Sequence, residues 1–204
     1  MISHTEAQKM SENKFTFPVG YHDFHKDQLY NFQLNRWYSL GYVRFEDMQE
    51  AGQKVETFND WKAEILKLAE KAVSENRLMN AAFCYRAAEF YTLIGDPDKE
   101  PLYDKFVEYF YRAFAGNGIE RFEVPYQNTF LPAMKIPPVG GQKKGTIVMH
   151  GGFDSFIEEF YSLMRYFSDH VYEIVAFEGP GQGAARKKYG LALDHEWENL
   201  PKLF

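Results

Sequence analysis

The feature that most limits the fold of this chain is a change of hydrophobic period near residue 118 of its 204 residues. Before it, apolar residues recur at the three-and-four spacing that lays one stripe along a helix. After it come short runs that alternate or are wholly apolar, broken by glycine and proline, the pattern of strands and turns. A chain that changes period once in this way is expected to fold in two parts. We place a helical subdomain at 1–117 and a sheet-containing part at 118–204.

The first part reads as a series of helices. Residues 26–41 form one, ending at Gly41, and a shorter one follows over 44–53. Trp61, Ile65, Leu68, Ala69, Ala72 and Val73 share one face of the next, and Thr57 with Asp60 is its capping signal. Residues 78–94 are apolar on nearly every side, which suits a central helix, and Gly95 and Pro97 stop it. Leu102, Phe106, Phe110 and Phe114 then line a stripe over 101–115. With 45% hydrophobic and 18% aromatic residues, the chain has the material for a packed core and is not disordered.

Several functions are excluded by composition. The net charge is −6, from 23 basic and 29 acidic residues, whereas a nucleic-acid binder needs concentrated positive charge. The single cysteine, Cys84, rules out a disulfide framework and fits a reducing compartment. Lying mid-helix beside Phe83 and Ala87, it is expected to be a buried, inert thiol. His22 and His25, with Asp23, lack a second pair of ligands and read as surface residues, so no metal is expected. Residues Met1–Asn13 are polar and lack a signal-peptide core, and no apolar run is long enough to span a bilayer. The expected location is cytoplasmic, with no membrane partner.

The second part reads as an edge hairpin followed by a strand–helix–strand unit. Phe122, Val124 and Tyr126 alternate with polar residues, Gln127–Asn128 is a turn, and Phe130–Ile136 returns. Pro125 and Pro132 cannot donate to a ladder, which places this hairpin at a sheet edge. Thr146–Met149 is uninterrupted and apolar, as in a strand covered on both faces. Phe156, Phe160, Leu163, Met164 and Phe167 mark one helix face, and Val171–Phe177 is a second apolar strand. Such a unit is expected to be parallel.

The chemistry-bearing residues follow those two strands. After the first comes His150-Gly151-Gly152-Phe153-Asp154-Ser155, and after the second Glu178-Gly179-Pro180-Gly181-Gln182-Gly183. In open parallel sheets ligands bind beyond the carboxyl ends of the strands. Acyl transfer builds negative charge on a carbonyl oxygen, and backbone N–H groups aimed at that oxygen stabilise it. Glycines after a buried strand allow such an approach. Ser155 is followed by Glu158 and an apolar helix face, so we read it as a capping box and not as a nucleophile, with Asp154 the alternative cap. Gly179–Ala184 also fits the dinucleotide pattern G-x-G-x-x-A. It follows the second strand of its unit, and Pro180 offers no N–H, so nucleotide binding stands only as a third reading.

Taken together, HGGFDS, a helix, and YEIVAFEGPGQG resemble the α/β-hydrolase superfamily. They are most similar to its dihydropseudooxynicotine hydrolase-like and acylaminoacyl-peptidase-like branch, which carries a helical region ahead of the core. In that branch GG-x-D-S follows the third strand and D/E-GPGQG the fourth. The hairpin RFEVPYQNTFLPAMKIP is similar to its first two strands. The resemblance covers the whole chain, with its specific motifs within 145–183. It implies an α/β fold: an N-terminal helical subdomain and a partial α/β-hydrolase core. It also implies acyl hydrolysis of an ester, amide or related carbonyl substrate, without a cofactor. The oxyanion donor falls on the backbone N–H of Phe153 or Gly152, Phe153 first, and His150 supports the strand end.

The family's nucleophile is a serine on a Gly-x-Ser-x-Gly elbow, followed in the chain by the acid and the histidine. None of the seven serines here (Ser3, Ser11, Ser39, Ser74, Ser155, Ser162, Ser168) sits in that motif. The 204 residues alone are therefore expected to resemble the N-terminal portion of such an enzyme and to be inactive. A sheet that stops short also exposes its last strand, and self-association through that edge is expected. The alternative to a hydrolase is a non-enzymatic helical interaction module carrying a vestigial core.

Overall fold

The computed structural model describes residues 15–195, 197, 198 and 200. The stretch Met1–Asn13, read above as polar and leaderless, lies outside the described residues. The described chain forms two compact units, one within Asn13–Ala115 and one from Gly116 onward.

The first unit consists of α1 (Gln28–Ser39), α2 (Phe45–Gly52), α3 (Phe58–Ser74), α4 (Leu78–Tyr91) and α5 (Lys99–Ala113). α3 starts where its capping signal stands. The Thr57 hydroxyl accepts from the Asp60 N–H, and the Asp60 carboxylate accepts from the Thr57 N–H at 2.9 Å. Its apolar face buries Trp61, Ile65, Leu68, Ala69 and Ala72, each large aliphatic contributing about 1.5–3 kcal/mol. The Trp61 indole N–H donates to the Ala87 carbonyl at 2.7 Å, tying α3 to α4.

α4 is central: every residue from Asn80 to Glu89 is buried, between α3 and α5. Two of them are charged. Arg86 and Glu89 pair with each other, and Lys99 Nζ lies 2.9 Å from Glu89. The pairing explains how the buried part of the helix tolerates ions. Cys84 is buried in the same helix, and burial pushes its thiol pKa up to about 12, so it is inert. His22 is not a surface residue as expected: it is half-buried, with its ring 5.0–5.4 Å from the rings of Phe24, Tyr38 and Phe45. Packing among aromatics holds it there.

The second unit is an α/β sandwich built on one four-stranded sheet. Its strands are β1 (Glu120–Tyr126), β2 (Thr129–Ile136), β3 (Gly145–His150) and β4 (Tyr172–Phe177), in the order β1-β2-β4-β3. β1 and β2 form the expected antiparallel hairpin, β2 pairs antiparallel with β4, and β3 pairs parallel with β4. A 3-10 turn (Ile157–Phe160) and α6 (Tyr161–Asp169) connect β3 to β4, and α6 packs against β4 and β2. α7 (Gly183–Lys187) follows β4. Leu131, Ala133, Phe177, Ala185, Leu191 and Leu200 form one buried cluster beside the sheet.

Three expectations need correction here. Of the hairpin, only β1 is at the edge; β2 is internal. Pro132 is tolerated because the β2–β4 ladder begins at Ala133, and Pro132 contributes only its carbonyl, which accepts from the Glu178 N–H at 2.9 Å. Next, β3 is not covered on both faces. It is the last strand of the order and alternates half-buried with exposed residues, Val148 being 46% exposed. Finally, the helix face from Phe156 to Phe167 is split between the 3-10 turn and α6, and Leu163 faces outward at 38% exposure.

Candidate active site

Parallel pairing of β3 and β4 sets the site. His150 is the register partner of Phe177, so the HGGFDS and EGPGQG loops leave the same edge of the sheet from adjacent positions. The His150 ring lies 5.8 Å from that of Phe177 and 5.3 Å from that of Trp197. This is the carboxyl edge, where open α/β sheets bind ligands.

In the first loop, a single peptide unit is held from both sides. The Gly151 carbonyl accepts from Gln182 Nε2 at 2.5 Å, and His150 Nδ1 lies 3.0 Å from the same oxygen. The Gly152 N–H, on the other side of that planar unit, donates to the Ser155 hydroxyl at 3.3 Å. The next N–H, that of Phe153, makes no hydrogen bond among the described residues. Of the two donors expected from sequence, Gly152 is engaged by Ser155 and Phe153 is available. The Phe153 ring, 56% exposed, carries the Arg186 guanidinium 4.7 Å from its centroid. His150 is exposed at the strand end, bonded back to its own loop.

Only the carboxylate half of the expected capping box forms, and it is displaced by one residue. Glu159, not Glu158, returns to the start of the turn, accepting from the Phe156 N–H at 2.7 Å. The turn begins at Ile157, which makes Glu159 its third residue. Ser155 is free of that duty and binds Gly152 instead. Glu158 is fully buried and pairs with Arg121 of β1 at 3.2 Å.

The second loop is closed on itself. Gln182 Oε1 accepts from the Gly179 N–H at 3.0 Å. The Glu178 carboxyl accepts from Ile157 N–H at 3.0 Å, Ala184 N–H at 2.6 Å and Ala185 N–H at 3.3 Å. Burial raises the Glu178 pKa to about 8, and the nearby Glu158 charge adds to this, while the Ile157 and Ala184 N–H groups and Arg121 pull the other way. These contacts weigh against the nucleotide reading of Gly179–Ala184. The N–H groups that a pyrophosphate would need at the start of α7 already serve Glu178. A side chain of Trp197 also stands where a Cβ on Gly179 would meet it at 2.7 Å.

Sequence reasoning missed Glu178, Gln182 and Arg121. A signal was available for the first two. A carboxylate directly after a buried strand, and an amide flanked by glycines, both need nearby partners once buried. Arg121 carried none, because its role depends on β1 lying near a loop 37 residues onward. Among the described residues, no group of three or more His, Cys, Asp or Glu is arranged to hold a metal ion. None of their helices is long and apolar enough to cross a membrane.

A mixed sheet of this order, preceded by helices and carrying a Gly-Gly loop at its carboxyl edge, is consistent with part of an α/β-hydrolase core, and the chain is α/β-hydrolase-like. No family model matches it. It is similar to the hydrolyase ccsE of Aspergillus clavatus, 33% identical over 114 residues, covering 52% of this chain and 26% of that protein. The α/β hydrolase ucsC of an Acremonium species is 25% identical over 222 aligned positions, covering 90% of this chain and 45% of that one. Among solved structures, a 2,6-dihydroxy-pseudo-oxynicotine hydrolase matches with a TM-score of 0.54 at 25% identity, over 75% of this chain and 47% of that one. The chain thus spans less than half the length of each of these three.

Proposed function

We propose that this chain furnishes the oxyanion side of a serine-dependent acyl hydrolase. Two of the three relatives, ucsC and the 2,6-dihydroxy-pseudo-oxynicotine hydrolase, are hydrolases by name, which supports the reaction class. The observation that carries the finer reading is the unengaged Phe153 N–H at the carboxyl edge of the sheet, beyond a peptide whose carbonyl and N–H are both fixed. Acyl transfer needs such a donor, held in place before the negative charge develops. The substrate is an ester, amide or related carbonyl compound. The nucleophile, its acid and its histidine are expected from polypeptide outside these 204 residues, since none of the serines here lies on a Gly-x-Ser-x-Gly elbow. The last strand, β3, is the edge to which further sheet, or a second copy, would add.

The test has two arms. The purified chain, given p-nitrophenyl acetate and a fluorophosphonate probe, is expected to show neither turnover nor labelling. Fused to polypeptide that supplies the elbow, acid and histidine, it is expected to gain both. Turnover by the chain alone, abolished by Ser155→Ala, would overturn the assignment and make Ser155 the nucleophile.

A further inference from the structure

The EGPGQG loop and α7 touch the HGGFDS loop at two places and the 3-10 turn after it at a third, each through a side chain of the second loop or of α7. At the near end, Gln182 Nε2 donates to the Gly151 carbonyl at 2.5 Å. In the middle, Arg186 sits over the Phe153 ring at 4.7 Å. At the far end, the Glu178 carboxyl receives the Ile157 N–H at 3.0 Å. Gln182 is itself fixed, because its other amide atom accepts from Gly179 N–H at 3.0 Å. Glu178 is fixed by the two N–H groups at the start of α7. Gln182 and Glu178 are buried, where an unmade hydrogen bond is costly and a made one is geometrically strict, whereas Arg186 is exposed.

We infer that Gln182 is a positioning residue that sets the orientation of the Gly151–Gly152 peptide and thereby aims the Phe153 N–H, with Glu178 holding the turn that follows the loop. A peptide unit is planar, with its C=O and N–H pointing oppositely. Fixing the Gly151 oxygen on Gln182 therefore sends the Gly152 N–H the other way, onto the Ser155 hydroxyl. With that plane set, the peptide that carries the Phe153 N–H is anchored at its Gly152 end, and only the Gly152 dihedrals separate the two. Neither glycine carries a side chain that would fix the plane on its own. A Cβ on Gly151 would meet the Phe160 ring at 2.9 Å and Ser155 Cβ at 3.1 Å, so the loop cannot be stiffened there by substitution. Within the loop, His150 and Ser155 contact this peptide, and Gln182 is the buried side chain that holds its carbonyl from outside. The oxyanion duty of Phe153 rests on the function proposed above, whereas the clamp is read from the geometry of the two loops and can fail separately.

The experiment is backbone and side-chain amide NMR on the whole 15N-labelled chain, which requires no activity. In the wild type, the Gln182 side-chain amide protons are expected to be protected from exchange; free exchange of both overturns the clamp. Gln182→Glu keeps the acceptor for Gly179 but sets an oxygen against the Gly151 carbonyl. Compared with wild type at the same pH, its Gly152 and Phe153 resonances are expected to be displaced near neutral pH. The Gly152 amide should then exchange about two- to tenfold faster, the range of one neutral hydrogen bond. As pH falls and the new carboxyl takes up a proton, it becomes a donor to Gly151, and both resonances are expected to return. A merely space-filling role predicts no such return. Resonances that coincide with wild type throughout, or stay displaced at every pH, overturn the proposal. Gln182→Met, which fills the space without a hydrogen bond, is expected to show the displacement at all pH values. An intact clamp with no activity in the fused enzyme would sink the hydrolase reading and leave the clamp standing.

Discussion

Glu178 is a buried carboxyl whose surroundings pull on it in opposite directions. Burial and Glu158 favour its protonated form, and three backbone N–H groups favour its charge; the balance leaves its pKa at about 8, against 4.5 for a free side chain. Between those values the folded state holds a proton that the unfolded state releases. Stability contributed by this group is therefore complete below about pH 4.5 and lost as pH rises through about 8. Melting temperature is expected to fall across that window, and the slope should flatten in Glu158→Gln, which removes the neighbouring charge. A melting temperature that climbs steadily from pH 5 to 8 would contradict this. The carboxyl also dictates the residue at 183. Gly183 has φ +36°, and a Cβ there would lie 2.5 Å from the Glu178 carboxyl. Gly183→Ala is expected to cost at least about 1–3 kcal/mol in denaturant unfolding, whereas Gly152→Ala, whose Cβ would meet Ser155 Oγ at an ordinary 3.4 Å, costs far less.

Among elements, β3 is the strand whose surroundings differ most from what its sequence suggests. Ile147, Val148 and Met149 are apolar in succession, yet Val148 stands 46% exposed on the last strand of the sheet. An exposed apolar edge strand invites pairing. The chain is expected to associate as its concentration rises, and Val148→Lys to reduce this, as light scattering coupled to size exclusion would show. A sharp monomer at high concentration in the wild type would refute it. The same strand shows what a sequence conveys about an element. Its existence, direction and parallel pairing follow from the apolar run and its connecting helix, because those depend on local composition. Its coverage does not, because coverage depends on what lies beyond it. The shifted capping box is a smaller case of this kind. Ser155 and Glu158 have the right spacing, but the turn starts one residue later than that spacing implies, so Glu159 accepts the Phe156 N–H while Glu158 pairs with Arg121 of β1.

At the scale of the whole molecule, what was legible follows the range of the interactions involved. The change of period at 118 is a local pattern that each part writes for itself, and the compact units divide at Ala115–Gly116. The two loops at the sheet edge were visible as glycine clusters after apolar runs. What joins them was not, since Gln182 and Gly151 are 31 residues apart and meet only once β3 and β4 have paired. The buried Arg86–Glu89 pair was likewise invisible, because burial of α4 on all sides is set by α3 and α5. Each unit nevertheless has its own buried core, and that of the helical unit includes Leu34, Trp37, Trp61, Ile65, Phe83, Phe106 and Phe110, all fully buried. A segment with that much internal apolar burial is expected to fold by itself. Residues 13–115, expressed alone, should give a cooperative melt and dispersed amide resonances. In that segment Thr57→Ala should lower stability by about 0.5–2 kcal/mol, the cost of losing an N-terminal cap, because the Thr57–Asp60 exchange lies wholly within it. A segment that melts without cooperativity, or one indifferent to Thr57→Ala, would show that the helices depend on the rest of the chain for their order.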